Sequence, residues 1–365
     1  MNETMNYGLQ IASAFALKGE PMSIEVNERG LINTTSVVTT SEGERYILQK
    51  INTNIFRHPD EVMENIVAVT EHLKKKIRAR GGDEMRETLT VVPTKNGESL
   101  YLDKDSGAYR MYLYISDAEC YDSADSPDLF FKVGKAFGAF QRELADFDAS
   151  VLHEAIPDFH DTGKRFDAFM KAVQEDAAGR KAGCEEEIRF VLDRKDKASF
   201  IVDRLRDGRL PLRVTHNDTK LNNIMMDRAT GEGLAVIDLD TVMPGSMLYD
   251  YGDAIRFGAS SAPEDETDLS KIFLRMDMFE AFTGGFLKGL GGAATEDEIM
   301  ALPMGAYMLT FELVIRFLTD YLNGDTYFKV RDARHNLERT RAQMTLLADM
   351  EARMDDMLAV VRKYL

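Results

Sequence analysis

Over residues 1–116, the spacing of apolar and polar residues is typical of a helix in some segments and of a β-strand in others. Apolar side chains recur at helical spacing over residues 7–17, and a longer amphipathic helix is predicted over 59–80. Two β-prone runs flank a polar turn at residues 41–44, which predicts a β-hairpin. The order of these patterns predicts a small lobe built on an antiparallel sheet with one inserted helix. The predicted strands cover residues 23–26, 34–40, 45–51, 89–92, 99–102 and 109–115.

The pattern changes at about residue 117 and is mostly helical from Pro127 onward, with an apolar face repeating at helical spacing. Residues 117–365 therefore predict a larger helical lobe, and the chain as a whole predicts an α+β fold of two lobes. Two β-prone segments interrupt the helices, at 212–215 and 234–239. Each ends in carboxylate or amide residues, and a strand end followed by a loop is where functional side chains are both fixed and accessible.

Composition bears on the number of lobes, the expected partners and the cellular compartment of the protein. A chain of 365 residues with 44% apolar content exceeds what one compact core usually holds, which agrees with two lobes. The formal net charge is -17 and the acidic residues are spread along the chain, so neither nucleic acid nor an anionic membrane is an expected partner. Cys120 and Cys184 form no CxxC pair, which favours a reducing compartment. We expect a cytoplasmic monomer without an export signal, because residues 1–10 lack a basic start and an apolar run.

The chemistry is concentrated in the loop that starts at His216 and in the strand end that follows it. Asp218 and Asn223 are five positions apart, and Asp238 comes twenty residues after Asp218. Phosphoryl transfer needs a carboxylate beside the acceptor hydroxyl and oxygen ligands that hold Mg²⁺ against the phosphates. This spacing predicts Asp218 as the catalytic base, with Asn223 and Asp238 as Mg²⁺ ligands. His216, Asp250 and Asp253 are interpreted as braces for the loop.

Other interpretations of these residues remain open from the sequence. The Asp and Asn could simply hydrogen-bond to nearby backbone, as isolated loop residues often do. An apolar strand ending in Asp238 and Asp240 also resembles the first motif of haloacid-dehalogenase-like phosphatases, in which Asp238 would be a nucleophile. That motif should open a parallel-sheet domain, whereas the residues after 246 look helical. A nucleotide-binding scaffold without turnover is a third alternative. A P-loop kinase is excluded because no GxxxxGK[ST] sequence occurs.

Over nearly its whole length the chain resembles the aminoglycoside phosphotransferase-like kinases, and within them the N-acetylhexosamine 1-kinases. The pattern around Asp218 is shared by many small-molecule kinases, whereas the combination of HNDTKLNN (216–223) with IDLDTVMPG (237–245) is narrower. The segments that carry the resemblance are INTT (32–35), RYIL (45–48), DFHDT (158–162), VTHNDTKLNNI (214–224), VIDLDTVMPGSM (236–247), DAIRFG (253–258) and RFLTDY (316–321).

The resemblance implies a protein-kinase-like fold with a nucleotide-binding first lobe and a catalytic second lobe. It also implies transfer of the ATP γ-phosphate, with Mg²⁺, to the anomeric hydroxyl of N-acetylglucosamine or N-acetylgalactosamine. Asp218 would then face that hydroxyl, while Asn223 and Asp238 fall on the metal-binding positions of the family. Arg316 would contact the sugar, although an arginine in an apolar helix also pairs often with a buried carboxylate. The further candidates for contact with the sugar are Asn217, Asp240 and Tyr321.

Two positions depart from the pattern of related kinases. Gln49 stands where many relatives carry a phosphate-binding lysine, and strand alternation places Gln49 and Lys50 on opposite faces. The loop at residues 28–33 has a single glycine, Gly30, and is a poor match to a glycine-rich phosphate loop. We expect the nucleotide to be contacted by Gln49 and by Asn33, Thr34 and Thr35, with a solvated turn as the alternative for the last three. Homoserine, choline and aminoglycosides remain alternative acceptors, although Arg316 would repel an aminoglycoside.

Overall fold

A computed structural model describes residues 3–27 and 32–365 of the chain, with side chains from residue 6 onward. These residues form two compact units. The first contains the described residues up to Cys120 together with two later segments, Val151–Pro157 and Ile224–Met243. The second contains Tyr121–Ser150, Asp158–Asn223 and Pro244–Leu365. The sheet-rich first unit and the larger helical second unit confirm the predicted α+β fold of two lobes.

An antiparallel sheet of five strands, in the order β1-β2-β3-β5-β4, forms the main part of the first unit. The predicted hairpin is confirmed by the pairing of β2 with β3. The prediction of a regular strand at 89–92 is wrong: Val91 makes an isolated bridge to Tyr112, flanked by backbone hydrogen bonds of Thr90 and Val92 to β5. The elements of this sheet and the helices beside it in sequence are α1 (Glu3–Ala12), β1 (Pro21–Asn27), β2 (Thr34–Thr40), β3 (Arg45–Lys50), α2 (Pro59–Ala79), β4 (Tyr101–Asp103) and β5 (Gly107–Leu113).

The two faces of this sheet differ in chemistry because side chains alternate along each strand. On one face Tyr46, Leu48 and Met111 are buried in a core that also holds Ile11 and Phe15 of the N-terminal segment. Gln49 and Arg110 face each other across β3 and β5 on the opposite side. The apolar face stabilises the sheet, and the other face carries polar groups.

A second, smaller sheet holds the strand that precedes Asp238. It has the order β6-β8-β9, built from Ala118–Glu119, Ile224–Asp227 and Gly233–Val236. Strand β9 pairs antiparallel with β8. A haloacid-dehalogenase-like motif would have to open a parallel sheet, so this pairing removes the phosphatase interpretation.

The second unit is built from helices, and close packing between α3 and α8 depends on glycine. A Cβ on Gly134 or Gly138 would collide with the backbone of Phe282 or Phe286, and one on Gly289 with that of Lys135. The glycines therefore allow the two helix backbones to approach each other. The elements are α3 (Pro127–Glu143), α4 (Thr162–Glu175), α5 (Glu185–Leu192), α6 (Phe200–Arg206), β7 (Arg213–Thr215), α7 (Met247–Gly258), α8 (Met276–Leu290), α9 (Glu296–Leu322), α10 (His335–Ala352) and α11 (Met354–Arg362), and β10 (Met243–Gly245) begins in the first unit and ends in the second.

Helix α9, with 27 residues, is the longest helix of the second unit. Its N-terminus is fixed by a capping box between Thr295 and Glu298. By length and composition the helix could cross a membrane, but 78% of its most apolar stretch is buried inside the protein. The helix carries Glu312 and Arg316 and serves as a core helix that positions them.

Candidate active site

The carboxylate of Asp250, near the N-terminus of α7, holds the loop after β7 through hydrogen bonds. Asp250 accepts hydrogen bonds from the backbone amides of His216 at 3.0 Å and Asn217 at 2.8 Å. It also accepts one from Gln141 Nε2 at 2.7 Å. Burial raises the pKa of Asp250 even though His216 and these donors act to lower it. Asn217 has a left-handed backbone, with φ of 65°, a conformation that asparagine adopts more readily than most residues.

Asp218 lies in this loop with its carboxylate between two partners. Lys220 Nζ lies 2.7 Å from Oδ1, and Asn223 Nδ2 donates to Oδ2 at 3.1 Å and to the backbone oxygen of Asp218 at 2.8 Å. The backbone amide of Asp218 donates to Nδ1 of the fully buried His216 at 3.3 Å. His216 thus braces the backbone of the loop, in agreement with its predicted role. The Asp218 side chain keeps 27% of its surface exposed, as a base that meets a substrate requires.

A second carboxylate of α7, Asp253, supports the other side of the loop. It accepts a hydrogen bond from the backbone amide of Thr219 at 3.2 Å and pairs with Arg256 at 3.0 Å. Burial acts to raise the pKa of Asp253, but Arg256 and Lys220 hold it below its ordinary value. Burial likewise acts to lower the pKa of Lys220, whereas Asp218 and Asp253 raise it. Lys220 is therefore a fixed cation beside the candidate base.

Asp238 belongs to the first unit and follows β9 with a left-handed backbone, φ 59°. A 3₁₀ turn, Leu239–Thr241, comes next and contains the buried Asp240. Asp240 Oδ1 lies 2.5 Å from Arg110 Nη2, and Asn33 Nδ2 donates to Asp240 Oδ2 at 2.6 Å. Asp240 is thus held by protein groups on both oxygens.

Of the residues predicted to contact the nucleotide, Gln49 and Asn33 make hydrogen bonds to protein side chains, whereas Thr34 is exposed. Gln49 is engaged with the protein, since its Oε1 accepts from Arg110 Nε at 2.9 Å and its Nε2 donates to Thr35 Oγ1 at 3.0 Å. Asn33 is buried and bonded to Asp240, whereas Thr34 is exposed. Lys50 is exposed on the face opposite Gln49. The predicted loop glycine, Gly30, lies outside the described residues.

Arg316 lines a cavity of about 260 Å³ in the second unit. Its Nη1 lies 3.6 Å from the fully buried Glu312, whose other partners are His160 Nδ1 and the Thr162 hydroxyl, both at 3.0 Å. Burial acts to raise the pKa of Glu312, but His160 and Arg316 hold it below its ordinary value. The arginine is thus both paired with a carboxylate and open to a ligand. The cavity is lined by Arg165, Ala168, Ile315, Arg316, Thr319, Asp320, Asn323, Thr326, Tyr327 and Phe328.

Comparisons with known proteins bear on what these groups do. The sequence model of the phosphotransferase enzyme family matches residues 23–275. The chain belongs to this family. Two solved structures share the fold: a microcompartment-associated aminopropanol kinase (16% identity, TM-score 0.60, 96% of this chain and 98% of that one) and an aminoglycoside phosphotransferase from Alicyclobacillus acidocaldarius (12% identity, TM-score 0.58, 100% and 96%). A spectinomycin phosphotransferase in complex with ADP and spectinomycin is similar at 10% identity and a TM-score of 0.58, over 96% of this chain and 98% of that one.

Phosphoryl transfer of this kind uses a divalent cation, and the residue types predicted to bind it suit Mg²⁺. Asn223 turns its Nδ2 toward Asp218, so its amide oxygen Oδ1 is the atom that would bind a metal. Asn223 of the second unit and Asp238 of the first are each predicted as metal ligands, and each offers the oxygen atoms that Mg²⁺ prefers. Over residues 3–27 and 32–365 no group of three or more His, Cys, Asp and Glu side chains could hold a metal. Mg²⁺ commonly takes its remaining ligands from water and substrate phosphates, so few protein ligands suffice.

The structure adds information on two residues, Tyr321 and Lys220, that the sequence did not indicate. Tyr321 does not line the cavity; its ring packs under Arg180, 4.8 Å from the guanidinium carbon. Lys220, by contrast, was missed, although a cation two positions after a candidate base is a usable signal. The catalytic, metal-binding and substrate-binding roles assigned to individual residues stay predictions.

Proposed function

We propose that this phosphotransferase transfers the γ-phosphate of ATP, with Mg²⁺, to the anomeric hydroxyl of an N-acetylhexosamine. Asp218 serves as the base, which orients the acceptor hydroxyl and takes its proton. Asn223 and Asp238 hold the Mg²⁺, which supplies positive charge against the phosphates. Lys220 adds a fixed positive charge next to Asp218, at 2.7 Å. The family match supports the reaction type, and the cavity around Arg316 supports the choice of acceptor.

The cavity around Arg316 is the observation that carries the choice of acceptor. Two guanidinium groups, those of Arg165 and Arg316, line it together. Burial lowers the pKa of Arg165, and the neighbouring charge of Arg316 lowers it further. The carboxylate of Asp320 is occupied by the backbone amides of Tyr327 and Phe328, at 2.8 and 3.0 Å. Glu312 and Asp320 balance part of this charge, but an amine-bearing acceptor would still meet two guanidinium groups of like charge on the cavity wall, which disfavours choline and aminoglycosides.

Size and lining favour a single neutral sugar. The volume of about 260 Å³ lies just below the usual range of small-molecule pockets, about 300–1,000 Å³. Guanidinium donors suit ring hydroxyls and an acetamido oxygen, and Thr319, Asn323 and Thr326 add further polar groups. Tyr327 and Phe328 provide apolar surface for the sugar ring and the acetyl methyl group.

A coupled assay of ADP release tests the acceptor. We expect Mg²⁺-dependent ADP release with N-acetylglucosamine or N-acetylgalactosamine, weaker release with glucose and galactose, and none with choline or kanamycin. The ³¹P spectrum of the product should show an anomeric phosphate. Activity confined to choline or kanamycin would contradict the proposed acceptor.

Replacing Arg316 with methionine should lower kcat/KM for the hexosamine by about 10- to 100-fold, because hydrogen bonds to a charged donor are lost. The KM for ATP should stay the same, since Arg316 is assigned to the acceptor alone. Arg206→Met is the matched control, because Arg206 lies in the same unit with 73% of its side chain exposed. Equal effects of the two variants would speak against contact between Arg316 and the sugar.

A further inference from the structure

Position 49 carries a glutamine where many related kinases have a lysine. A different cation, Arg110, lies on the same polar face of the main sheet. Arg110 is on β5 and is the register partner of Gln49 on β3. It is 1% exposed, so it is an internal charge and needs fixed partners. A guanidinium in this position combines a permanent charge with several donors in a rigid plane.

The partners of Arg110 connect strand β3 to the turn after Asp238. Its Nε donates to Gln49 Oε1 at 2.9 Å, and Gln49 is itself held by Thr35. Its Nη2 lies 2.5 Å from Asp240 Oδ1. Gln49 therefore orients the guanidinium, and the guanidinium pairs with the carboxylate two residues after Asp238.

The turn that Arg110 contacts has a backbone that needs support. Asp238 is a residue other than glycine in the left-handed region, with φ of 59°, and such conformations persist when surrounding contacts fix them. Arg110 and Asn33 fix Asp240 from two sides. Asn65 Nδ2 donates to the backbone oxygen of Val242 at 3.0 Å and secures the far end of the turn. The charge of Arg110 also interacts with the charge of Asp238 itself.

We propose that Arg110, oriented by Gln49, is a positioning residue that fixes the 238–240 turn so that Asp238 is set to bind the metal of the metal–nucleotide complex. Gln49 then supports Arg110 and does not contact the phosphates itself. The inference rests on the proposed use of ATP and Mg²⁺ but not on the identity of the acceptor.

The test measures binding of ADP by calorimetry, with and without Mg²⁺, alongside the Mg²⁺ dependence of the rate. Arg110→Met should weaken binding of Mg-ADP by about tenfold or more, in the range typical of residues that orient metal ligands, and leave metal-free ADP binding unchanged. Arg110→Lys should recover part of the loss, because it keeps the charge and loses the planar fork. Arg86→Met is the control, since Arg86 pairs with Asp227 at 3.0 Å in the same unit.

Wild-type affinity for Mg-ADP in Arg110→Met would overturn the inference, and so would an equal loss with and without Mg²⁺. Gln49→Lys decides the matter if Arg110→Met fails to fold. A lysine there would face Arg110 and remove its acceptor, so we expect weaker Mg-ADP binding; stronger binding or a faster rate would overturn the inference. A wild-type protein that binds Mg-ADP but phosphorylates no hexosamine contradicts the acceptor, and the Arg110 variants still decide the present inference.

Discussion

Replacing Asp218 with asparagine should lower kcat by about 10²- to 10⁴-fold, the usual contribution of a general base. The amide has the size of the carboxylate and still accepts the hydrogen bond from Asn223 Nδ2, which is at 3.1 Å in the wild type. It cannot take a proton, and it loses the ion pair with Lys220. Nucleotide affinity should stay close to that of the wild type, because the change affects the acceptor side of the reaction.

Turnover with a saturating acceptor and calorimetric binding of Mg-ADP measure the two halves of this prediction. Asn222→Ala is the matched control, because Asn222 lies in the same loop but is exposed. An unchanged kcat in Asp218→Asn would remove Asp218 as the base. Loss of Mg-ADP binding together with turnover would instead give Asp218 a role in holding the loop or the metal. A nucleotide-binding scaffold without turnover predicts no activity in the wild type either.

The parts of the fold that were predicted correctly are those in which local pattern and tertiary contacts agree. The hairpin of β2 and β3 has alternating residues on both sides of a polar turn, and its register follows from that alternation. The segment at 89–92 has the same β-branched composition and makes backbone hydrogen bonds to β5 through Thr90 and Val92, yet it forms only an isolated bridge at Val91. A regular strand depends on pairing that continues along its length as well as on composition, and a single sequence does not display how far the pairing extends.

The dependence on partners that are distant in sequence also explains which residues of the candidate site could be predicted. Asp218 and Asn223 are close in sequence, so their spacing alone indicated that they could act together. Arg110 pairs with Asp240, 130 positions later, and nothing local in the segment 109–113 indicates that partner. A charge inside an apolar strand was nevertheless a usable signal, since a buried arginine requires a carboxylate.

Helix periodicity predicts which residues of α9 line the cavity around Arg316. Arg316, Thr319, Asp320 and Asn323 all line it and follow the spacing i, i+3, i+4 and i+7, which places them on one face of α9. Tyr321 is five positions from Arg316 and therefore points about 140° away. This direction explains why the Tyr321 ring packs against Arg180. Position on the helix, and not proximity in sequence to Arg316, therefore decides which residues line this cavity.

Asp250→Ala should cause the largest loss of stability among the changes considered, although Asp250 is assigned no contact with substrate. Its carboxylate accepts from three donors, the amides of His216 and Asn217 and the side chain of Gln141. Asp250 is 1% exposed, so alanine would leave these donors buried without that acceptor. An unsatisfied buried donor costs about 1–3 kcal/mol, so we expect the free energy of unfolding to fall by about 3 kcal/mol or more.

The same substitution should lower the kcat of the protein that remains folded, because the two amides that Asp250 holds immediately precede Asp218. Urea denaturation gives the stability, and turnover per folded molecule gives the second effect. Asp148→Ala is the matched control: Asp148 also accepts a backbone hydrogen bond, from Ser150 at 3.0 Å, but it is exposed, and we expect little change. Full turnover in folded Asp250→Ala would show that the loop holds Asp218 in place without this carboxylate. The bracing role would then pass to Asp253 and His216, which contact the same loop from α7 and from within it.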